Sequence, residues 1–96
     1  MIDIVANLVA LENKTKYLSH MRRGEYTEFN EILSLGEDAI PTLMNNIDWA
    51  PWNVMLAIAY ITKCAVNIPL ESKGKIDDMV ACYKAWYDKE FVNEQK

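Results

Sequence analysis

Side chains that could do chemistry are scarce in this chain. His20 is the single histidine, and Cys64 and Cys82 are the only cysteines. A histidine base needs a carboxylate or nucleophile within hydrogen-bonding reach, and the neighbouring Ser19 points to a different helix face. A Cys–His nucleophile pair would require the fold to bring His20 to one of the two thiols. We therefore expect no enzymatic activity.

Sequence motifs for metals and phosphates are also lacking. The cysteines form no CxxC or Cys/His spacing, and the chain has no glycine-rich phosphate loop, no HExxH and no acidic metal loop. The adjacent Asp77 and Asp78 are interpreted as first-turn partners of a helix dipole rather than as ligands. We expect no cofactor and no metal, and we expect both cysteines to be free, buried thiols.

Acidic residues are the more informative group. The net charge is −4, and residues 24–62 contain no lysine or arginine. Their acidic residues are Glu25, Glu28, Glu31, Glu37, Asp38 and Asp48. Glu25, Glu28 and Glu31 recur every three positions, so they share one face if their helix begins early enough. That face is either simply solvated or a docking surface for a basic protein, even a mimic of nucleic-acid charge. With no basic stripe, we expect no direct nucleic-acid binding.

Aromatic residues suggest where a partner would bind. We expect Trp52 to pack in the core. Trp49 is the better candidate for an exposed anchor, because tryptophan is enriched at interface hot spots, and packing in the core or at its rim is the alternative for Trp49. Tyr83, Trp86 and Tyr87 cannot all face inward, because successive helical residues are about 100° apart around the axis. At least one is therefore semi-exposed, which favours a protein partner or a homodimer.

Hydrophobic spacing predicts five helices and no strands in these 96 residues. The expected helices cover residues of about 3–21, 27–35, 38–47, 51–64 and 75–91. Thr27 is predicted to cap the second helix and Gly36 to end it. The fourth is apolar nearly all round, so it belongs in the middle of the molecule.

Two prolines mark helix starts. Pro41 and Pro51 each follow an aspartate by three residues, at the front of an apolar run. If Asp38 and Asp48 are N-caps, each proline lies in the first turn, where its missing N–H costs little. An alternative places Pro51 at the first helical position, with Ala50 as its cap. Either arrangement predicts two short helices joined by a tight turn, an αα-hairpin.

Two sequence resemblances follow from these features. Residues 32–64 resemble a HEAT-type helical repeat through Leu35-Gly36, Ala39-Ile40-Pro41, Leu43, Ala57, Ala59 and Ile61. Residues 57–90 resemble small uncharacterised bacterial and phage proteins through Asn67, Pro69, Lys73-Gly74 and Trp86. The first resemblance implies a helical hairpin that binds other proteins. Stacked repeats need about three units, so the single complete hairpin predicts a closed domain rather than a solenoid.

The predicted protein is all-α, a single compact domain of about five helices with a central HEAT-like αα-hairpin. We expect a non-enzymatic interaction module, an inhibitor or regulator of phage or mobile-element type, that docks a basic protein surface. The predicted partner-binding residues are Glu25, Glu28, Glu31, Glu37, Asp48, Trp49, Trp86 and Tyr87.

Two other functions are alternatives to this one. The first is a small-molecule or nucleotide binder with an aromatic-lined pocket between helices. The second is a structural homo-oligomer that associates through Trp86 and Tyr87. No membrane partner is expected, because the longest apolar run, Val54–Ile61, is far shorter than the roughly 20 residues of a membrane span. The first residues lack a basic leader, so the expected location is cytoplasmic.

Overall fold

The computed structural model describes residues 2–15 and 26–92. Within these ranges the chain forms five α-helices and no strand: α1 (Ile4–Thr15), α2 (Thr27–Ser34), α3 (Ile40–Asn45), α4 (Pro51–Thr62) and α5 (Ile76–Tyr87). Short 3₁₀ helices cover Gly36–Ala39 and Leu70–Ser72, and a π-helical segment, Asp88–Val92, continues α5. The predicted class, a small all-α single domain, is confirmed.

The first helix is capped by an aspartate. The carboxylate of Asp3 accepts a hydrogen bond of 3.1 Å from the backbone N–H of Ala6, in the first turn of α1. This bond satisfies one of the N–H groups that have no partner at a helix start. The predicted continuation of this helix through residue 21 lies outside the described residues, as do His20 and Glu25.

The prolines begin helices, as predicted, but the aspartates do not cap them. Ala39 precedes α3 and Ala50 precedes α4, and neither helix has a side-chain cap. Pro51 is the first residue of α4, which is the alternative that the sequence left open. Asp38 is instead part of the Gly36–Ala39 3₁₀ helix, which runs directly into α3. The expected Asp38 and Asp48 caps are therefore wrong.

The start of α2 differs from the prediction, whereas its end agrees with it. Thr27 is the first helical residue rather than the cap, and extended Tyr26 precedes it. Gly36 does end this helix, because its φ of 64° is a left-handed conformation that favours glycine. The chain therefore turns sharply after α2 before it enters the 3₁₀ helix.

Helix α4 lies at the centre and packs against each of the other four helices. Its residues Val54, Ala57 and Ile58 are fully buried. The rest of the buried apolar core comes chiefly from α1, α2, α3 and the turn after α3. Its fully or almost fully buried residues include Leu8, Leu11, Phe29, Ile32, Ile40, Leu43 and Ile47.

One side of α4 remains open. Trp52 is 43% exposed and Tyr60 is 64% exposed, so the prediction that Trp52 packs in the core is wrong. These two residues and half-buried Leu56 recur every four positions and form one stripe along the helix. No other helix of the described residues covers this stripe fully, so a nearly all-apolar helix keeps an exposed face.

The fifth helix joins the domain mainly through α4. Helix α5 buries Tyr83, and Asp77 and Asp78 lie in its first turn as predicted. The predicted range ran to residue 91, and the structure changes from α to π geometry after Tyr87. None of the helices within the described ranges has both the length and the apolar character that crossing a membrane requires.

Candidate functional site

An open cleft of about 580 Å³ lies beside the C-terminal end of α4 and the end of α5. Its walls combine acidic, aromatic and aliphatic groups with one lysine. The lining residues are Glu37, Ile61, Thr62, Lys63, Ala65, Trp86, Glu90 and Phe91. We refer to this site as the α4–α5 cleft.

The walls of the cleft arise where regular helix geometry breaks. Lys63 and Cys64 both have left-handed backbones, with φ values of 56° and 62°. Such conformations are costly for residues other than glycine, and they concentrate at functional sites. Glu90 and Phe91 belong to the π-helical segment, a geometry that is also frequent at functional sites.

The end of α4, which lines the cleft at Ile61 and Thr62, has backbone carbonyls beyond its last helical hydrogen bonds. The N–H of Cys64 donates back to the carbonyl of Ala59 at 2.8 Å, and the N–H of Ala65 donates to the Thr62 hydroxyl at 3.3 Å. The carbonyls of Ile61 and Thr62 therefore receive no backbone hydrogen bond from the described residues. These carbonyls form the negative end of the helix dipole, which favours a positively charged ligand.

The aromatic wall is held in place by ring packing. The rings of Trp86 and Phe91 meet edge to face, with centroids 5.4 Å apart. Tyr87 stacks on the same phenylalanine, with centroids 5.3 Å apart and an interplanar angle of 24°. Trp86 and Phe91 line the cleft, whereas Tyr87 supports Phe91.

Two carboxylates in the cleft form no ion pair with any cation of the described residues. The described residues contain the ion pairs Lys14–Glu28 and Lys84–Asp48, and neither involves Glu37 or Glu90. Glu37 and Glu90 are both exposed. Lys63 lines the same cleft, so the charged side chains there sum to one negative charge.

The structure brings together predicted residues that are distant in the sequence. Glu37 and Trp86 line one cleft, and Tyr87 packs behind it. Lys63, Glu90 and Phe91 were missed by the sequence analysis. Phe91 follows Tyr87 by four positions, so helical spacing could have paired these two rings. Its contact with Trp86 spans five positions, which is the spacing of the π-helical segment and not of an α-helix.

Glu28 is not part of an open acidic surface. Its carboxylate accepts a hydrogen bond of 2.5 Å from the ammonium of Lys14, which joins α1 to α2. This bond, with a smaller contribution from a hydrogen bond to its own backbone, lowers the pKa of Glu28. Glu31 is half-buried on the same helix, and Glu25 lies outside the described residues. The expected face of three glutamates is therefore not open at Glu28.

Asp48 and Trp49 lie in the turn between α3 and α4. Asp48 forms an ion pair of 2.8 Å with Lys84 of α5. Trp49 is 44% exposed, which agrees with the exposed one of the two placements left open by the sequence, and its indole N–H donates to the side-chain oxygen of Asn46 at 2.7 Å. The Asn46 amide donates in turn to the carbonyl of Thr42 at 2.7 Å. The turn thus presents a tryptophan that is exposed but fixed in position.

This turn and the cleft occupy different sides of α5. Lys84, which holds the turn, and Trp86, which lines the cleft, are two residues apart on that helix. Two residues correspond to a rotation of about 200° around the helix axis. The predicted acidic and aromatic residues therefore form two separate surfaces rather than a single face.

The two cysteines differ in how exposed they are. Both are free, with Cys64 exposed and Cys82 half-buried, so the expectation that both are buried is wrong. Cys64 is exposed because it follows the end of α4 in a left-handed turn. Among the residues that the structure describes, no cluster of three or more His, Cys, Asp or Glu side chains could hold a metal ion.

Comparisons of the chain with protein-family models, with curated proteins and with solved structures found no match. The α4–α5 cleft is therefore interpreted from the chemistry of its own residues. That chemistry combines unpaired carboxylates, helix-end carbonyls and fixed aromatic rings, all of which attract cations.

Proposed function

We propose that the protein is a non-enzymatic interaction module that binds a basic surface of another protein. The α4–α5 cleft carries this proposal, because it places the unpaired carboxylates of Glu37 and Glu90 beside the rings of Trp86 and Phe91. Opposite charges steer partners together and favour the correct orientation. Aromatic side chains supply large contact area at the centre of protein interfaces.

The turn between α3 and α4 supports the same function as a second contact surface. Trp49 is exposed and held by Asn46, so little side-chain freedom is lost when a partner covers it. The sequence from residue 24 to residue 62 contains no lysine or arginine, and Lys84, which reaches the turn from α5, is neutralised by its ion pair with Asp48.

The biological role that we propose is that of an inhibitor or regulator of phage or mobile-element type, acting in the cytoplasm. The resemblance of residues 32–64 to HEAT-type repeats and of residues 57–90 to small bacterial and phage proteins supports this role. This role is proposed from the sequence resemblances alone, and the binding function proposed above does not depend on it.

Charge reversal in the cleft tests the binding function. The Glu37→Lys/Glu90→Lys variant and the wild-type protein are used to capture partners from the native host at low salt and at about 0.5 M salt. Glu71→Lys/Asp77→Lys is the matched control, because both residues are exposed, lie outside the cleft and give the same change in charge. Melting temperatures establish that each variant is folded.

We expect the wild type and the control to capture a basic protein in a salt-sensitive manner, and the cleft variant to lose it. A captured partner that is acidic, or that binds the cleft variant as well as the wild type, contradicts the proposal. Direct reconstitution with the purified partner then gives the affinity change for each variant.

The size of the cleft favours one alternative function, the binding of a small molecule. Its volume of about 580 Å³ falls within the 300–1,000 Å³ that is usual for ligand sites. The carboxylates of Glu37 and Glu90 repel phosphates, so a cationic or neutral ligand suits the site better than a nucleotide. A ligand-dependent rise in melting temperature at constant protein concentration would support this alternative.

A further inference from the structure

We infer, building on the function proposed above, that the α4–α5 cleft binds an arginine side chain of the basic partner. The guanidinium plane lies against the ring of Trp86, and its N–H groups are directed to the carboxylates of Glu37 and Glu90. The partner is thus recognised by one chemical group rather than by positive charge in general.

Three separate features of the cleft attract a cation. Glu37 and Glu90 have no ion-pair partner among the described residues. The carbonyls of Ile61 and Thr62 receive no backbone hydrogen bond within the part of the chain that the structure describes. Trp86 presents an aromatic ring, whose face attracts cations.

The arrangement of these acceptors favours arginine over lysine. They lie on three different segments: Glu37 on the 3₁₀ helix, Ile61 and Thr62 at the end of α4, and Glu90 on the π-helical segment. Guanidinium is planar and carries five N–H donors in a fixed fork, so it can reach acceptors on more than one segment while it stacks on a ring. Ammonium is a compact, strongly hydrated point charge with all its donors on one atom.

The dimensions of the site favour a side chain that is attached to a longer polypeptide. The volume of about 580 Å³ is that of a site for a drug-sized ligand, larger than one guanidinium group requires. The additional space accommodates the residues on either side of the arginine. An extended segment or a loop of the partner therefore fits the cleft better than free arginine does.

Lys63 modulates this affinity. Lys63 lines the same cleft and has no ion-pair partner among the described residues. A cation there opposes the entry of a second cation. Replacing Lys63 with the neutral glutamine is therefore expected to strengthen arginine binding, whereas removing either carboxylate weakens it.

Peptide titration of the full chain tests the inference. The probes are acetylated, amidated tripeptides Gly-Arg-Gly, Gly-Lys-Gly and Gly-citrulline-Gly, where citrulline preserves the shape of arginine without its charge. Binding is followed by NMR through the indole N–H resonance of Trp86 and the backbone amides of the π-helical segment. The indole resonance of Trp49, on the other side of α5, is the internal control.

We expect the arginine peptide to shift the Trp86 resonance until the site is saturated. The affinity of the lysine peptide is expected to be about threefold lower than that of the arginine peptide, and the affinity of the citrulline peptide about tenfold lower. The Glu37→Gln/Glu90→Gln variant is expected to bind the arginine peptide with about tenfold lower affinity than the wild type, and the Lys63→Gln variant with about twofold higher affinity. The matched control Glu71→Gln is expected to leave the affinity unchanged.

Three results would each overturn the inference. They are equal affinities for the arginine and citrulline peptides, equal affinities for the arginine and lysine peptides, and resonance shifts at Trp49 instead of Trp86. The wild-type titration needs no variant, so it stands even if a substitution impairs folding. If arginine does not bind but charge reversal still abolishes partner capture, the inference fails and the proposed function stands. If the arginine peptide binds the cleft but no charge-dependent partner exists, the proposed function fails with the part of the inference that names a partner, and only the preference of the cleft for arginine remains.

Discussion

The hydroxyl of Tyr83 on α5 donates a hydrogen bond of 3.2 Å to the backbone carbonyl of Met55 on α4. Tyr83 is only 6% exposed, so this bond lies inside the interface between the two helices. Burial raises the pKa of the Tyr83 phenol, and the nearby thiol of Cys64 adds to the shift. The bond links the two helices whose ends form the cleft.

Alkaline pH is expected to destabilise the protein through Tyr83. Since the pKa is raised in the folded state, the neutral phenol contributes its full stability below the ordinary value of 10.0. That stability is lost as the pH rises through the raised value. Tyr83→Phe should remove this alkaline loss and cost about 1 kcal/mol at neutral pH, where the hydrogen bond is missing.

Urea unfolding between neutral and strongly alkaline pH measures this effect. Tyr60→Phe is the control, because Tyr60 is mostly exposed and the Tyr83 bond remains intact in that variant. An alkaline loss of the same size in Tyr83→Phe as in the wild type would show that another group is responsible.

Acidic pH is expected to weaken the contact between α1 and α2. The hydrogen bond from Lys14 lowers the pKa of Glu28 below its usual value of 4.5. The ionised carboxylate therefore contributes stability above that usual value, and the contribution disappears as the pH falls through the lowered pKa. Glu28→Gln should show a smaller loss of melting temperature between neutral and acidic pH than the wild type.

Glu31→Gln on the same helix is the control for this experiment, and it should keep the acid dependence of the wild type. A wild-type acid dependence that Glu28→Gln retains in full would exclude the Lys14–Glu28 pair as its source.

Lys63→Gly is expected to stabilise the fold. The left-handed backbone of Lys63, with φ of 56°, carries a steric penalty of about 1 kcal/mol or more for any residue with a Cβ atom. Glycine removes the penalty, so the melting temperature should rise by about 4–8 °C for each kcal/mol in a domain of this size. Calorimetry on the purified variant measures the change.

Lys63→Ala separates backbone strain from side-chain effects, because alanine loses the ammonium but keeps the Cβ atom. If alanine and glycine raise the melting temperature equally, the gain comes from charge rather than from the backbone.

Asn53→Asp is expected to destabilise the protein strongly. Asn53 is 1% exposed on α4, and its amide donates a hydrogen bond of 3.0 Å to the carboxylate of Glu12 on α1. Aspartate would replace that donor with a second carboxylate in a buried place, at a cost of at least about 2 kcal/mol. Denaturant unfolding at neutral pH measures the loss.

Glu12→Gln in the Asn53→Asp background provides the decisive comparison. It exchanges donor and acceptor across the pair, so it should recover a large part of the lost stability in a double-mutant cycle. Additive destabilisation by the two substitutions would mean that the two side chains are not energetically coupled.

Local patterns were sufficient to predict the helices and the function of the prolines in their first turns. Apolar spacing identified α2, α4 and α5, and Pro41 and Pro51 lie in first turns, where a missing N–H is tolerated. The caps were not predictable in this way. Asp48 pairs with Lys84, far along the chain, and sequence spacing does not contain that contact.

The exposure of individual side chains and the formation of the cleft depend on how the helices pack against one another, which local sequence patterns do not contain. The apolar composition of α4 predicted burial on all sides, but Trp52 on this helix is 43% exposed. Glu37 and Trp86 could be selected as acidic and aromatic candidates, yet only tertiary packing places them in one cleft. Glu90 and Phe91 join them through a change of helical geometry that hydrophobic periodicity does not indicate.

The way α5 is attached has a consequence for the motions of the protein. Helices α1 to α4 pack against one another in several combinations, whereas α5 packs chiefly on α4. Detachment of α5 would therefore leave most of the buried core intact, so this helix can open as a unit before global unfolding. In native-state hydrogen exchange its amides should become deuterated earlier than those of α4. A partner seated between the two helices would slow that exchange.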